Sequence, residues 1–299
     1  PAVYHACQDE GVPVVQSLHN FRPLCANGLL FRDNHLCEDC LKGSLMPGIF
    51  HRCSQKSLII SAMVTRMIRS HRKMHTWRDK VSLYVTATEF TRQKYITAGF
   101  SPNKIFIKPN FVGPVENNSF SDQAYALYIG RLSDEKGVDV LIRAWKDLPD
   151  IPLKIAGDGP NRLFLSGYIQ RYGLKNIEVL GHVDGNKYHE LMSGARFLVI
   201  PSICYENFPR IAAEAFAYGL PVAASRLGSL QEVIDHGING LLFEPGSEQS
   251  LRQIAEELYR SAGLPEMRAA AREKYAAAYS PEKNYETLLE IYERALYTR

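Results

Sequence analysis

From about residue 126 onward the chain repeats one pattern: a short apolar run, a turn holding Gly, Asp or Pro, then a segment with apolar residues at helical spacing. The apolar runs fall near 126–129, 153–156, 177–180, 197–200, 221–224 and 240–243, and the helical patterns near 137–147, 160–171, 186–192, 209–218, 229–234 and 248–261. Strands joined by helices run parallel, because each crossover returns the chain to the same end of the sheet. Such a sheet is covered on both faces and binds ligands at the carboxyl ends of its strands. The spacing therefore predicts a doubly wound α/β domain, and every motif that could carry chemistry falls at a strand end.

The 299 residues are long for one core and sufficient for two domains. The first part opens on a helix-like segment at 2–11, then an apolar run at 12–18 that ends in His19–Asn20. An irregular excursion over 20–56 precedes a helix at 57–71, a strand at 81–86, a helix at 88–98 and a strand at 105–107. Excursions of that length usually carry a function or a staple. The polar stretch NNSFSDQ at 117–123 reads as a linker, and helical patterns at 264–278 and 281–296 are expected to brace the two domains together. The expected division is an N-terminal domain over 1–116, a second domain over 117–280 and a C-terminal helix over 281–299 packing back toward the first.

With 45% hydrophobic and 22% charged residues the composition is that of a globular protein, and no apolar run approaches membrane-span length. No signal peptide is read at its start, so a cytoplasmic location is expected. Residues 1–120 carry 15 Lys/Arg against 8 Asp/Glu and the remainder 20 against 24, which gives +7 and −4. Much of the excess lies in 65–80, where Arg66, Arg69, Arg72 and Lys73 recur beside Met63, Met67, Ile68 and Met74. A basic amphipathic helix there would suit a peripheral contact with anionic lipid, the alternative being a solvated face. Nucleic acid is not expected as a partner, since Trp77 alone supplies a stacking aromatic among these cations.

Cys25, Cys37, Cys40 and Cys53 have the spacing C-x11-C-x2-C-x12-C. Four thiolates brought together would hold a structural zinc, with Cys37 and Cys40 supplying two from one turn. Reduced buried thiols or disulfides are the alternatives, and a reducing cytoplasm disfavours the latter. Cys7 and Cys204 read as packing residues.

The stretch YENFPRIAAEAFAYGLP at 205–221 sets Glu206 in a loop ahead of a short helix and Glu214 inside it. Asn207 is expected to cap that helix, with Pro209 in its first turn and Gly219 and Pro221 at its end. A helix start suits a phosphate, while carboxylates accept hydrogen bonds only and so suit the hydroxyls of a sugar. A site for a sugar attached to a phosphate follows; a capped helix with Glu214 in solvent is the bland alternative. GRLSDEKG at 130–137 adds Gly130 for a sharp exit, Arg131 as a phosphate fork and Lys136 as a point charge, which together could hold a diphosphate and stabilise charge on it. Gly157, Asp158 and Gly159 would bring backbone close to a ligand, and Gly181–His182–Val183 could edge a flat base. His19, at the end of a strand, could hydrogen-bond a transferred sugar, with Asn20 fixing its orientation. A dinucleotide oxidoreductase is disfavoured, because no G-x-G-x-x-G follows a strand.

The ordered set LHN, GRLSDEKG, GDGP, LGHV, ENFPRIAAEAFAYGLPV and GSLQEVIDHGINGLLFEPG resembles the retaining glycosyltransferases of family 4. The resemblance implies a GT-B fold, two Rossmann-like α/β domains with a cleft between them. It implies a nucleotide-diphosphate sugar, on UDP or GDP, as donor and a glycan or lipid-linked molecule as acceptor. By position, it implies that Arg131 and Lys136 bind the diphosphate, Glu214 the ribose, Glu206 and the backbone of Asn207, Phe208 and Pro209 the transferred sugar, His182–Val183 the base, and His19 the sugar from the other domain. Transfer would be metal-independent and front-faced, the leaving phosphate helping to accept the acceptor proton, so any zinc would be structural.

Such folds normally begin with further β-α units, so the N-terminal domain is expected to be incomplete, with three strands near 14–18, 81–86 and 105–107. A homo-oligomer completing that sheet through its edge strand is one expectation. A nucleotide-sugar-binding module without transfer activity is the rival reading.

Overall fold

The structure, a computed structural model, describes residues 2–41, 43–115, 121 and 123–297. Most of the expected linker at 117–123 lies outside them. The chain divides into two compact units, residues 1–110 with 282–299 and residues 111–281.

In the second unit the strands are β6 (Tyr125–Ile129), β7 (Leu153–Ala156), β8 (Ile177–Gly181), β9 (Ala195–Ile200), β10 (Val222–Ser225) and β11 (Gly240–Phe243). They form one sheet in the order β11-β10-β9-β6-β7-β8, and every pairing is parallel. The crossover helices are α6 (Val138–Trp145), α7 (Arg162–Tyr172), α8 (Gly185–Gly194), α9 (Arg210–Ala217), α10 (Leu230–Val233) and α11 (Glu248–Arg260), followed by α12 (Leu264–Ala278). Both faces of the sheet are covered, which is why its strands read as continuous apolar runs. Trp145 is fully buried and donates its indole N–H to the Ile151 carbonyl at 3.0 Å, so the largest side chain of the core has no unpaired polar atom. Leu251, Ala255 and Leu258 follow one stripe of α11 into the same core, and α12 packs on α9.

The first unit has α1 (Ala2–Asp9), β1 (Val15–Ser17), β2 (Phe31–Arg32), β3 (His35–Leu36), α2 (Met46–Phe50), α3 (Leu58–Lys73), α4 (Thr76–Asp79), β4 (Leu83–Thr86), α5 (Glu89–Thr97), β5 (Ile105–Ile107) and α13 (Pro281–Tyr297). Its main sheet is three-stranded and parallel, in the order β1-β4-β5, and α13 buries Ile291 and Ala295 against Leu83 and Val85 of β4. Residues 20–56 hold the β2–β3 hairpin and α2 among turns, fixed in part by the buried Phe21, Leu24 and Leu30. The helix expected at 57–71 is α3, which carries Arg66, Arg69, Arg72 and Lys73; past its end at Lys73, His75 turns into the left-handed region at φ 52° and α4 starts afresh.

The carboxyl ends of β6, β7 and β8 meet backbone to backbone. Gly130 donates its N–H to the Ala156 carbonyl at 3.0 Å, and Gly157 donates to the Gly181 carbonyl at 2.7 Å. A Cβ on Gly157 (φ +142°) would stand 1.8 Å from the Gly130 oxygen, and one on Gly137 (φ +67°) 1.9 Å from the Pro201 oxygen. Gly173 has a similar φ of +61° but no atom within 4 Å of its added Cβ. Conformation alone should cost Gly173→Ala about 1 kcal/mol, whereas Gly137→Ala adds a backbone collision and should cost about 3 kcal/mol or more. Chemical denaturation of the two variants measures the difference, and equal costs would refute the close approach at Gly137.

Candidate functional site

Two loops at the carboxyl edge of the larger sheet converge on one ion pair. Between β6 and α6 a single 3₁₀ turn over Asp134–Lys136 is ended by Gly137 in the left-handed conformation, and this turn presents Lys136. Between β9 and α9 the segment through Cys204 and Tyr205 presents Glu206. The Lys136 ammonium lies 2.6 Å from Glu206 Oε1, and Ser202 donates to the same oxygen at 2.7 Å. Ser229 donates its hydroxyl to the Glu206 backbone carbonyl. Ile203 N–H donates to the Glu135 carbonyl at 3.0 Å, so the two loops are also tied through backbone.

Burial alone would lower the pKa of Lys136, but the Glu206 carboxylate outweighs it and the net shift is upward. The lysine therefore stays charged across the physiological range. Cys204, buried beside this pair, is pushed up to about 12 by burial and by the Glu206 charge, and so remains a neutral thiol. Arg131 is exposed and has no ion pair or side-chain hydrogen bond among the described residues. Its own carbonyl accepts the Tyr128 hydroxyl at 2.7 Å, which fixes the turn from which the guanidinium extends.

Glu214 has a second set of partners, which the sequence did not reveal. Tyr188, on α8, donates its hydroxyl to Glu214 Oε2 at 2.6 Å, and Arg210, one turn earlier on α9, lies 2.9 Å from Oε1. The Glu214 side chain is 20% exposed and Arg210 69%. Burial, then the Glu214 charge, raises the Tyr188 phenol far above its ordinary value, so it acts only as a donor. Tyr218 is pushed up to about 12 by the same two causes, burial first, and His189 hydrogen-bonds its hydroxyl.

The helix start needs correction. α9 begins at Arg210 with Pro209 as its N-cap, and no side chain caps it. Asn207 lies too early to serve, because the proline extends the loop to ψ 77° before the first helical residue. Phe208 and Pro209 are buried, Phe208 packing edge-on against Tyr279 at 5.5 Å. The α9 amino terminus thus keeps its positive end without a side-chain cap.

Asp158 is exposed; its Oδ1 accepts from the Gly159 N–H at 2.8 Å and its Oδ2 lies 3.3 Å from Arg162. Arg162 in turn lies beside Gly181, 3.6 Å from where a Cβ would stand. His182 is exposed and Val183 half-buried just beyond β8. In the other unit His19 is exposed at the carboxyl end of β1, on an open depression of about 380 Å³ with His71 and Trp77. Asn20 does not orient it as expected through its side-chain oxygen, which accepts the Arg22 N–H at 2.8 Å in a local turn. Tyr188, Arg210, Ser202 and Ser229 are the residues that sequence reasoning missed; Tyr188 and Ser229 come from elements that meet only in three dimensions, whereas Arg210 and Ser202 stand four residues before Glu214 and Glu206 and could have been found from that spacing.

Cys25, Cys37, Cys40 and Cys53 line one cavity of about 10 Å³, together with Arg32, Gly48 and His51. None is in a disulfide, and among the described residues no group of three or more His, Cys, Asp or Glu side chains stands ready-formed as a metal cluster.

Comparison with known proteins gives this geometry its context. Residues 114–278 match the model of the family "Glycosyl transferases group 1"; the LHN segment lies outside the match. An uncharacterized glycosyltransferase of Methanocaldococcus jannaschii is 32% identical over 172 residues, which make up 58% of this chain and 48% of that protein. The chain spans about half or less of the length of the curated relatives it matches. Among solved structures, sucrose-phosphate synthase from Thermosynechococcus elongatus superposes with a TM-score of 0.72 at 20% identity, covering 99% of this chain and 71% of that one. HepE of Anabaena in complex with UDP-glucose gives 0.70 at 19% identity, covering 98% and 74%. With its parallel sheet and its paired strand-end loops, the chain belongs to the group 1 glycosyl transferases and has the GT-B fold.

Proposed function

We propose that this chain is a retaining, metal-independent glycosyltransferase of family 4 that moves a hexosyl group from a nucleotide-diphosphate sugar to a glycan or lipid-linked acceptor. The observation that carries this reading is the 2.6 Å pair of Lys136 and Glu206. A carboxylate beside a diphosphate would repel it, but with Lys136 in contact the pair adds no net charge. Glu206 Oε1 is taken by Lys136 and Ser202, and Oε2 is left to accept from a hydroxyl of the transferred sugar. The free Arg131 fork and the uncapped start of α9 supply the positive field for the phosphates. Glu214, held by Tyr188, accepts from the ribose hydroxyls, the exposed Arg210 giving way, and His182–Val183 edge the base.

In the reaction the bond from the anomeric carbon to the phosphate oxygen breaks, and its electron pair leaves with the diphosphate. The acceptor oxygen bonds to the same face of that carbon, and its proton passes to the departing phosphate. Lys136 and Arg131 stabilise the charge that grows on the leaving group, the role a divalent ion would otherwise serve. The bound UDP-glucose of HepE favours uridine as the base. Exposed Ile59, Met63 and Met67 beside Arg66 and Arg69 on α3 favour the lipid-linked class of acceptor.

Calorimetry with UDP, GDP and ADP, followed by transfer assays over an acceptor panel, tests the proposal. Nucleotide binding without product on any acceptor would leave the rival, a binding module. Lys136→Ala should lower kcat by about 10²–10³-fold with a smaller change in KM, and normal turnover would sink its role. Added Mg²⁺ or Mn²⁺ should not raise the rate.

Glu214→Ala should weaken UDP binding by about tenfold or more, as expected for hydrogen bonds to a charged group. Tyr188→Phe should weaken it by a smaller factor and, like Glu214→Ala, narrow the preference for UDP over 2′,3′-dideoxy-UDP. A Tyr188→Phe protein that keeps the full preference would show that the tyrosine does not position Glu214 for ribose.

A further inference from the structure

The four cysteines of the first unit take no part in the proposed chemistry. They sit in the irregular segment, two of them, Cys25 and Cys40, buried and two half-buried. Cys25 enters from the turn before the β2–β3 hairpin, Cys37 and Cys40 from the turn after it, and Cys53 from the turn after α2. Chain segments separated by x11 and x12 thus return to one point, a cavity whose 10 Å³ is about the space of one water or one ion. We propose that this cavity is a structural zinc site, with Cys25, Cys37, Cys40 and Cys53 as its four thiolate ligands.

The surroundings fit such a group. Four thiolates and one Zn²⁺ leave two negative charges, and two cations lie near: Arg32, which lines the cavity and also pairs with Asp33 and Asp39, and Arg72, within electrostatic reach of Cys40. Gly48 lines the same cavity, its N–H donating to the Leu45 carbonyl at 3.1 Å, and only a glycine fits easily there, since its Cβ would stand 3.1 Å from Ala26 Cβ and 3.8 Å from the Cys40 sulfur. Cations near sulfur are what a metal thiolate uses in its outer shell. The four cysteines line the one cavity, and metal binding would take the proton from each thiol. His51 lines the same cavity, but a closed structural site with four thiolates has no place for a fifth ligand.

The site would staple residues 20–56 of the first unit and is read by metal content and cobalt absorption, so its failure is separable from that of the proposed function. Elemental analysis of protein purified without chelator should find about one zinc per chain, unchanged in Cys7→Ser and lost in Cys37→Ser and Cys40→Ser. Should those two variants fail to fold, wild-type protein stripped by a chelator and titrated with Co²⁺ should show the intense thiolate-to-metal absorption of a tetrahedral site at one equivalent. Zinc removal should also lower the melting temperature while UDP binding persists. Wild-type protein that holds no stoichiometric zinc and gives no thiolate-cobalt band overturns the proposal, and so does an intact mass showing disulfides between these residues.

Discussion

Backbone touching backbone at the ends of β6, β7 and β8 is the constraint from which the larger unit's site follows. The Gly157 N–H meets the Gly181 carbonyl, and a Cβ there would stand 1.8 Å from the Gly130 oxygen, far inside van der Waals contact. Side chains at these points would drive the three loops apart. With glycine they stack closely enough for Leu132 to bond Asp158 and for Asn161 to bond Leu132, which fixes the turn that ends in Lys136. The contact of Gly137 with Pro201 then sets that turn against the loop after β9. The position of the lysine opposite Glu206 is thus a consequence of backbone packing more than of their mutual attraction.

Electrostatics decides what such a position is good for. An isolated carboxylate in a half-buried pocket would repel an anion. Lys136 removes that difficulty at Glu206, and the lysine's upward shift shows that the attraction outweighs the cost of burial. Glu214 meets the same problem differently, with a neutral phenol on one oxygen and an exposed guanidinium on the other. The phenol is fixed by burial, while the guanidinium is largely in solvent and costs little to displace. One acid is therefore tuned by a permanent cation and the other by a removable one, which suits a group that changes during the reaction and a group that only grips.

Much of this was legible in the sequence where a pattern is local. The β-α alternation placed β7, β11 and α12 at the boundaries the structure gives, because apolar period and glycine turns are short-range signals. Lys136 and Glu206 were legible as charged residues after strand ends, and Glu214 as one inside the helix that follows. What was not legible depends on elements that meet only in the fold: Tyr188 reads as one aromatic in a helix until α8 lies beside α9. The misread cap has a local cause, since Pro209 is compatible with a first turn or with the cap itself, and the choice of ψ 77° belongs to the loop. The helix expected at 57–71 matches α3 to within two residues, and the basic run leaves the helix before His75, where the backbone turns left-handed.

The two units also differ in how they can be held together. The larger one buries a continuous apolar cluster from Ala126 to Leu264 around its sheet. Among the described residues the smaller one has a cluster of four residues between β4 and α13 and another of three around Cys40, Leu45 and Ile68, with a long turn-rich segment between β1 and α3. Ordering each residue of such a segment costs about 1–2 kcal/mol of chain entropy, and its two-residue strands and five-residue helix return little of that. A tetrathiolate zinc contributes on the order of 10 kcal/mol to folding, comparable with the whole net stability of a domain. On those magnitudes the proposed ion would be a principal stabilising interaction of the segment, which is why the cysteines concentrate where regular structure is scarce.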